Sequence, residues 1–446
     1  MNCPDGRELI LRRFLLHFNT FLHFIHKMWY NVRKCRIYIL QKAGGRMKKS
    51  GRKKWMKFRH KVVRNLLYCI LYPYSRWKYG IKIEKFKKQE KRPYLILLNH
   101  QTPFDQFFAG MAFKGPVYYL ATEDIFSKGW ISSAIRWLVA PIPIKKQTTD
   151  VGAVMNCMRV VREGGTICIA PEGNRTYSGK TEYMNPAIAP LARKLGLPIA
   201  IFRIEGGYGV QPRWSDGVRR GKMRAYVSEV ISPESIAEMN NDELMAAIRQ
   251  GLYVNEAVAD GIYESEKSAE YLERAVFWCP ECGFSKFESH GNVIECIRCE
   301  RRITYGKDKR LQGIGFEFPF EFVNEWYERQ KAEINKLDLD EYIETPFFED
   351  IADVSKVFVN RHKEKYKTAA EIKLFGDKIT VDEQVFPFDE ITAIAVLGRN
   401  KLNVYHNDKV YQFKGDKRFN ALKYVFTYYR RKNITKGEAN GEFLGL

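Results

Sequence analysis

The stretch YLILLNHQTPFDQFF, residues 94–108, runs from an apolar segment into a histidine and then, five positions later, a carboxylate. The apolar run reads as a short buried strand that ends at Asn99–His100. Thr102–Pro103–Phe104–Asp105 has the form of a helix start, with Thr as N-cap, Pro at the first helical position and an acid at the third. Asp105 then falls in the first turn, with His100 on the loop before it. Such a loop can fold back so that the carboxylate accepts a hydrogen bond from one ring nitrogen. That bond fixes the tautomer and leaves the other nitrogen as a base near neutral pH. In the plainer alternative, Asp105 only caps the helix and His100 only caps the strand.

Downstream, strands and helices alternate. Strand candidates are 94–99, 116–121, 140–144, 166–170, 198–204 and 223–231. The helical stretch 148–165 has a Thr/Asp start and a Gly stop, and 185–196 has Pro186 in its first turn and Gly196 as its stop. This pattern predicts an α/β domain with a helix-covered, mostly parallel sheet. Ligands of such sheets bind beyond the carboxyl ends of the strands. A second polar loop leaves such an end in TICIAPEGNRTYSG, residues 166–179. Gly173 allows a sharp turn, and Arg175 offers a fork of donors that suits a phosphate. Glu172 either holds that arginine or binds a substrate hydroxyl. The alternative is an ordinary turn with a surface ion pair.

The chain has 446 residues and a formal net charge of +22. Residues 1–92 hold 26 Lys and Arg against four acids, so the whole excess lies in this arm and the remainder is balanced. An arm of this kind faces phosphates, on a membrane or on nucleic acid. Its basic clusters alternate with rings such as Trp29, Tyr30, Trp55, Tyr72, Tyr74 and Trp77, which suits a helix lying in the headgroup plane of anionic lipid. A solvated charge run ahead of an ordinary helix is the bland alternative. Neither apolar candidate, 14–30 or 62–74, approaches the roughly 20 uninterrupted residues that span a bilayer. Neither is followed by a small-residue cleavage site. The expectation is a reduced, peripheral protein on the cytoplasmic face of a membrane.

In CPECGFSKFESHGNVIECIRC, residues 279–299, Cys279 and Cys282 form one Cys-x-x-Cys pair and Cys296 and Cys299 the other. This spacing predicts a four-cysteine zinc ribbon, structural because four thiolates leave no open position. Beyond it, 321–337 reads as a helix and 370–413 as short strands with turn signals. A helix at 418–433 closes a small, mostly-β, pleckstrin-homology-like domain.

Taken together, the two loops resemble the glycerolipid acyltransferases, whose type member is 1-acyl-glycerol-3-phosphate (lysophosphatidate) acyltransferase. The family's Asn-His-x4-Asp block is matched by NHQTPFD at 99–105, and its Phe-Pro-Glu-Gly-Thr-Arg-Ser block by APEGNRT at 170–176. Its Ile-Pro-Ile-x-Arg block is matched by IPIKK at 142–146, with Lys146 in the arginine's place. A strand opening with Pro is matched at Pro198. Block order and spacing agree over about 93–230. Ala170, Asn174 and Thr176 are mild departures, whereas Lys146 replaces a bidentate fork with a point charge and bears on which acceptor is used.

The resemblance implies that His100, oriented by Asp105, takes the proton of an acceptor hydroxyl. That oxygen then attacks an acyl-CoA or acyl carrier protein thioester without an acyl-enzyme. Glu172, Gly173, Arg175 and Lys146 are expected to hold the acceptor phosphate, with Asn99, Pro171, Asn174, Thr176 and Pro198 as secondary substrate contacts. Lysophosphatidate is the expected acceptor, with glycerol 3-phosphate or another lysophospholipid as alternatives. The expected domains are a membrane arm (1–92), an acyltransferase domain (93–275), a zinc ribbon (276–306), a linker with a helix (307–345), a β domain (346–436) and a tail (437–446). A nucleic-acid-binding zinc-ribbon protein is the rival reading. The charge surplus sits far from the ribbon and its apolar content suits lipid better, so no nucleic acid is expected. An inactive lipid-binding scaffold is disfavoured by His100 and Asp105.

Overall fold

The computed structural model describes residues 54–90, 93–122, 125–126, 130–144, 150–358, 362–438, 441 and 443. The apolar stretch 14–30 and Lys146 lie outside these residues. The chain divides into Met1–Lys54 and Trp55–Leu446, and the description concerns the second unit.

Helix α1 (Phe58–Tyr79) leads into β1 (Ile81–Ile83), β2 (Leu95–Leu98), α2 (Asp105–Ala112), β3 (Val117–Thr122), α3 (Trp130–Leu138) and β4 (Ile142–Ile144). Then follow α4 (Val151–Arg162), β5 (Thr166–Ile169), α5 (Ile188–Leu195), β6 (Ile199–Glu205), the single turn α6 (Gly207–Val210), β7 (Met223–Ile231), α7 (Pro233–Glu238) and α8 (Asn241–Leu252). The seven strands lie in the order β1-β7-β6-β2-β5-β3-β4. Strands β6, β2, β5, β3 and β4 are mutually parallel, and β7 runs against β6 with β1 parallel to β7. The sheet therefore starts upstream of residue 93. Ile81 and Ile83 are buried with Lys82 outward, and Gly80 supplies the left-handed turn (φ +60°) that ends α1. A Cβ on Gly80 would meet Gly221 O at 2.2 Å, so this junction requires glycine twice over.

Strand β2 lies at the centre and is buried on both faces, which is why it reads as a continuous apolar run. Leu95 and Leu97 face one core, shared with Cys157 and Val160 of α4, Ala192 of α5 and Ile248 of α8. Ile96 and Leu98 face the other, shared with Tyr79 of α1 and with Phe108 and Met111 of α2. This is the helix-covered, mostly parallel sheet expected from the sequence.

Strands β8 (Trp278–Cys279), β9 (Gly283–Phe284), β10 (Phe287–His290), β11 (Val293–Cys296), β12 (Arg302–Tyr305) and β13 (Leu311–Gly313) build the cysteine module. Helix α9 (Val323–Lys336) follows. A seven-stranded antiparallel half-barrel comes next, from β14 (Phe348–Val357), β15 (Lys363–Leu374), β16 (Lys378–Val381), β17 (Gln384–Pro387), β18 (Ile391–Leu397), β19 (Lys401–His406) and β20 (Lys409–Gly415). Its order, β17-β16-β15-β14-β20-β19-β18, joins a four-strand meander to a three-strand one. Helix α10 (Leu422–Thr435) packs on it, with the Tyr428 hydroxyl donating to Ile391 O at 2.7 Å. One apolar core runs through the cysteine module, α9 and the half-barrel. It also takes in Tyr177 and Trp214, from the segments that follow β5 and β6. The loops at the sheet's carboxyl edge are thus rooted in the C-terminal half of the molecule. Arg274, 2% exposed, rivets the two halves by donating to Trp214 O, to Asp216 Oδ1 and to Lys417 O.

Candidate active site

Because β2, β5 and β6 are parallel and in register, the segments that follow them emerge at one edge. Asn99, fully buried, spends its whole amide there. It donates to Ile204 O and accepts from Ile204 N, both at 2.8 Å, which locks the end of β2 to the end of β6. His100 follows on the loop, with its side chain 23% exposed and open to solvent. Its Nδ1 lies 2.8 Å from Asp105 Oδ2.

Asp105 is fully buried and acts as the hub of the loop. Oδ2 also accepts from Gln101 N at 2.6 Å and Thr102 N at 2.8 Å, and Oδ1 accepts from the Thr102 hydroxyl at 2.6 Å. Three donors besides the imidazole thus converge on this carboxylate. An ionised carboxylate can only accept, so Nδ1 carries the proton and Nε2 presents a lone pair. The helix start differs from the sequence expectation. Helix α2 begins only at Asp105, yet the expected capping contacts are present: the Thr102 hydroxyl accepts from Phe104 N at 3.2 Å while donating to Asp105 Oδ1, and Asp105 Oδ2 accepts from Thr102 N.

The second loop clasps the first. His100 N donates to Glu172 Oε1 at 2.9 Å, and Thr176 N donates to His100 O at 3.3 Å. Both backbone groups of the histidine are therefore held by residues more than seventy positions away. Gly173, at φ +71°, makes the turn between them. Glu172 makes no ion pair with Arg175. Burial pushes its carboxyl up to about 8, the His100 N–H pulls it back, and the Glu182 and Asp105 charges push it further. Arg175 is half-buried, and one guanidinium nitrogen is shut off from solvent with no partner. Burial, then the Arg213 and Arg399 charges, bring it down to about 10, while Asp105 and Tyr177 act the other way.

The remaining expected residues separate. Pro171 is buried behind the turn, its carbonyl accepting from Asn185 N at 3.1 Å. Asn174 is half-buried beside Arg175. The Thr176 hydroxyl accepts from Gly179 N and donates to Lys180 O, so it shapes the loop. Pro198 is not brought to this site. It precedes the first residue of β6, where its carbonyl accepts from Leu95 N at the amino edge of the sheet.

Sequence reading passed over three residues here. Tyr79, at the end of α1, has a buried hydroxyl with no partner. Its hydroxyl is pushed up by burial, then by Tyr74 and Asp105, against Arg175 and Arg399. Gln101, next to the histidine and 1% exposed, leaves both amide atoms unpartnered. Arg213, 3% exposed, donates to Arg175 O at 2.8 Å. Gln101 stands inside the quoted motif and was legible as a polar residue in an apolar setting. Tyr79 and Arg213 carry no local signal.

The four cysteines converge elsewhere. Their Sγ atoms all lie within 4.8 Å of one another, with Cys279–Cys299 at 3.7 Å and Cys282–Cys296 at 3.5 Å. A tetrahedron with metal–sulfur bonds of about 2.3 Å has edges of about 3.8 Å, so this group can hold one metal ion.

The sequence profile of the acyltransferase family matches residues 80–204, from β1 to the end of β6. The chain is 23% identical over 184 residues to the chloroplastic 1-acyl-sn-glycerol-3-phosphate acyltransferase BAT2 of Brassica napus, covering 39% of this chain and 51% of that one. It is 23% identical over 186 residues to the chloroplastic 1-acyl-sn-glycerol-3-phosphate acyltransferase LPAT1 of Arabidopsis thaliana, covering 39% and 49%. The chain thus spans about half the length of these curated relatives. The crystal structure of the 1-acyl-sn-glycerophosphate acyltransferase PlsC of Thermotoga maritima superposes with a TM-score of 0.37 at 18% identity, over 55% of this chain and 92% of that one. Residues 80–204, which carry both polar loops, thus match the acyltransferase family profile, and the chain is similar there to 1-acyl-sn-glycerol-3-phosphate acyltransferases.

Proposed function

We propose that this protein transfers a fatty acyl group from acyl-CoA or acyl carrier protein to the free hydroxyl of lysophosphatidate, giving phosphatidate. The observation that carries the reading is the double clasp of His100. Asp105 holds its ring at 2.8 Å, and Glu172 and Thr176 hold its backbone, which brings the Arg175 loop beside an imidazole open to solvent. In the reaction, Nε2 takes the hydroxyl proton as the oxygen attacks the thioester carbonyl. The C–O bond forms, the C–S bond breaks, and the imidazolium returns its proton to the departing thiolate. Asp105 stabilises the imidazolium without accepting its proton. Arg175 binds the acceptor phosphate, and the resemblance assigns Lys146 to the same phosphate. Glu172 positions His100 and, carrying a proton at neutral pH, adds no negative charge against that phosphate.

The acceptor is a lipid, and the molecule has a surface for it. Along α1, Phe58, Val62, Leu66 and Trp77 are exposed, with Lys61 and Arg76 on the same outer side. Helix α3 adds exposed Trp130 and Ile131, and Arg59 stacks over Trp137 to join the two helices. We read this face as lying in the headgroup region, drawn to anionic lipid by the basic arm. Among the described residues, no helix is long and apolar enough to cross a bilayer. The four cysteines hold a structural zinc ion that ties down the module next to the half-barrel.

The direct test is purified full-length chain with lysophosphatidate and labelled acyl-CoA in vesicles containing anionic lipid. Labelled phosphatidate should form, and His100→Ala should abolish it at unchanged melting temperature. Full activity in that variant removes His100 from the mechanism.

A further inference from the structure

The loop that carries Arg175 is not braced by the N-terminal sheet alone. Buried Arg213 donates from one guanidinium nitrogen to Arg175 O at 2.8 Å and from the other to Val396 O at 3.2 Å. Val396 lies in β18 of the half-barrel, so one arginine ties the phosphate loop to the C-terminal domain. It is held in place over the Tyr177 ring, 4.2 Å from its centroid. The turn just beyond β18, Gly398–Arg399–Asn400, carries the next cation. Arg399 Nη1 donates to Asp216 Oδ1 at 3.1 Å, the oxygen that Arg274 Nη1 also takes at 2.7 Å. Arg399 keeps 29% of its side chain exposed.

The charges do not balance. Arg175, Arg213, Arg274 and Arg399 lie around this junction, against two carboxylates: Asp216, which Arg274 and Arg399 share, and Asp105, whose charge acts on Arg175. The partners of Arg213 are neutral carbonyls, and Arg175 keeps a buried nitrogen without a partner. The charge of Arg399 is felt at both Arg175 and Tyr79. It opposes the charge on Arg175, and it acts on the Tyr79 hydroxyl beside Asp105. A cluster of like charges held this close is costly until an anion joins it.

We propose that the acceptor's phosphomonoester binds between Arg175 of the catalytic sheet and Arg399 of the half-barrel, with Arg213 as the fixed cation that joins them. The C-terminal domain is then a wall of the acceptor pocket rather than an appendage. A phosphomonoester carries up to two negative charges near neutral pH and a phosphodiester only one. A pocket with this surplus of guanidinium selects lysophosphatidate over lysophospholipids whose phosphate carries a further headgroup. The proposal rests on the acyl-transfer reading above.

The test uses the full chain with Arg399→Gln, which keeps a donor for Asp216 but drops the charge, and Arg399→Lys, which keeps the charge but loses the fork. Acyl transfer is measured to lysophosphatidate and to lysophosphatidylglycerol, a phosphodiester. Arg399→Gln should raise the KM for lysophosphatidate about 10- to 100-fold, with kcat and the acyl-CoA KM changed far less. The preference for the monoester should fall with it, and Arg399→Lys should recover part of both. An unchanged KM, or an equal rise for monoester and diester, overturns the proposal. Equilibrium binding of lysophosphatidate to His100→Ala protein, with and without Arg399→Gln, separates the two readings. Equal affinity overturns the Arg399 assignment and leaves acyl transfer standing. Binding that depends on Arg399, in a wild-type chain that transfers no acyl group, sinks the enzyme reading and supports the pocket. Absence of binding in either protein overturns both.

Discussion

The histidine pocket and the cysteine cluster are both written in the sequence as closely spaced motifs, yet they are finished in opposite ways. The cysteine cluster closes on itself, with four sulfurs at tetrahedral separations facing one another. The histidine pocket is left open. His100 presents Nε2 to solvent, Arg175 and Tyr79 carry buried polar atoms with no partner, and so does Gln101. Buried polar groups are ordinarily satisfied, so unpartnered ones beside an exposed imidazole are available to a ligand. A donor set closed in this way suits a structural ion, whereas an open one suits a passing ligand. The difference lies in what remains unpaired, not in how conspicuous the motif is.

The comparison is broken most severely at the cysteines. Cys279→Ser, or a strong chelator, should cost about 5 kcal/mol or more of stability, as loss of a structural metal does. Denaturant melts followed by tryptophan fluorescence, with metal content measured alongside, would check this. A variant that melts like wild type would show that the cluster is not a fastener. His100→Ala should do the reverse. Acyl transfer should fall about 10²- to 10⁴-fold while stability moves by less than about 1 kcal/mol, because its ring is exposed on one side. A large loss of stability there would erase the contrast.

Asn99→Ala tests the frame beneath the open site. It leaves the Ile204 N–H and carbonyl unpaired in a buried setting and should cost about 2–3 kcal/mol, read from the same melts. The finest effect is at Glu172. In the fold its carboxyl keeps its proton up to about 8, against an ordinary value of 4.5. The folded state therefore binds more protons than the unfolded one between these limits. Its contribution to stability is present below the unfolded value and is lost as pH rises through that window. Glu172→Gln should flatten the fall in stability between about pH 5 and pH 8. An identical slope in the variant would show that Glu172 titrates normally.

Local reading went far in some places and stopped short in others. Strand β7 was legible to the residue, and β2, β3, β5 and β6 to within one or two residues of their ends. Runs of β-branched and aromatic residues bounded by turns carry that signal locally. The three-residue β1 was absorbed into the basic arm, although Ile81-Lys82-Ile83 alternates as a half-buried strand should. The start of α2 was placed at Thr102 because the sequence fits a cap there. In the fold that hydroxyl does accept from Phe104 N while donating to the Asp105 carboxylate, but the regular helix begins only at Asp105.

Which groups have chemistry to offer is set within short stretches of chain: a histidine with a carboxylate five positions on, an arginine in a turn, and four thiols in two close pairs. Those relations are short-range, fixed by chain geometry within a few residues. Which of them meet depends on how distant segments pack. Parallel register brought His100 and the Glu172–Thr176 loop to one edge and left Pro198 at the other. A shared core then carried the half-barrel, with Arg399, up against the Arg175 loop. Such contacts span up to 183 positions, and no local pattern encodes them, because they form only when apolar faces far apart in the chain are buried together.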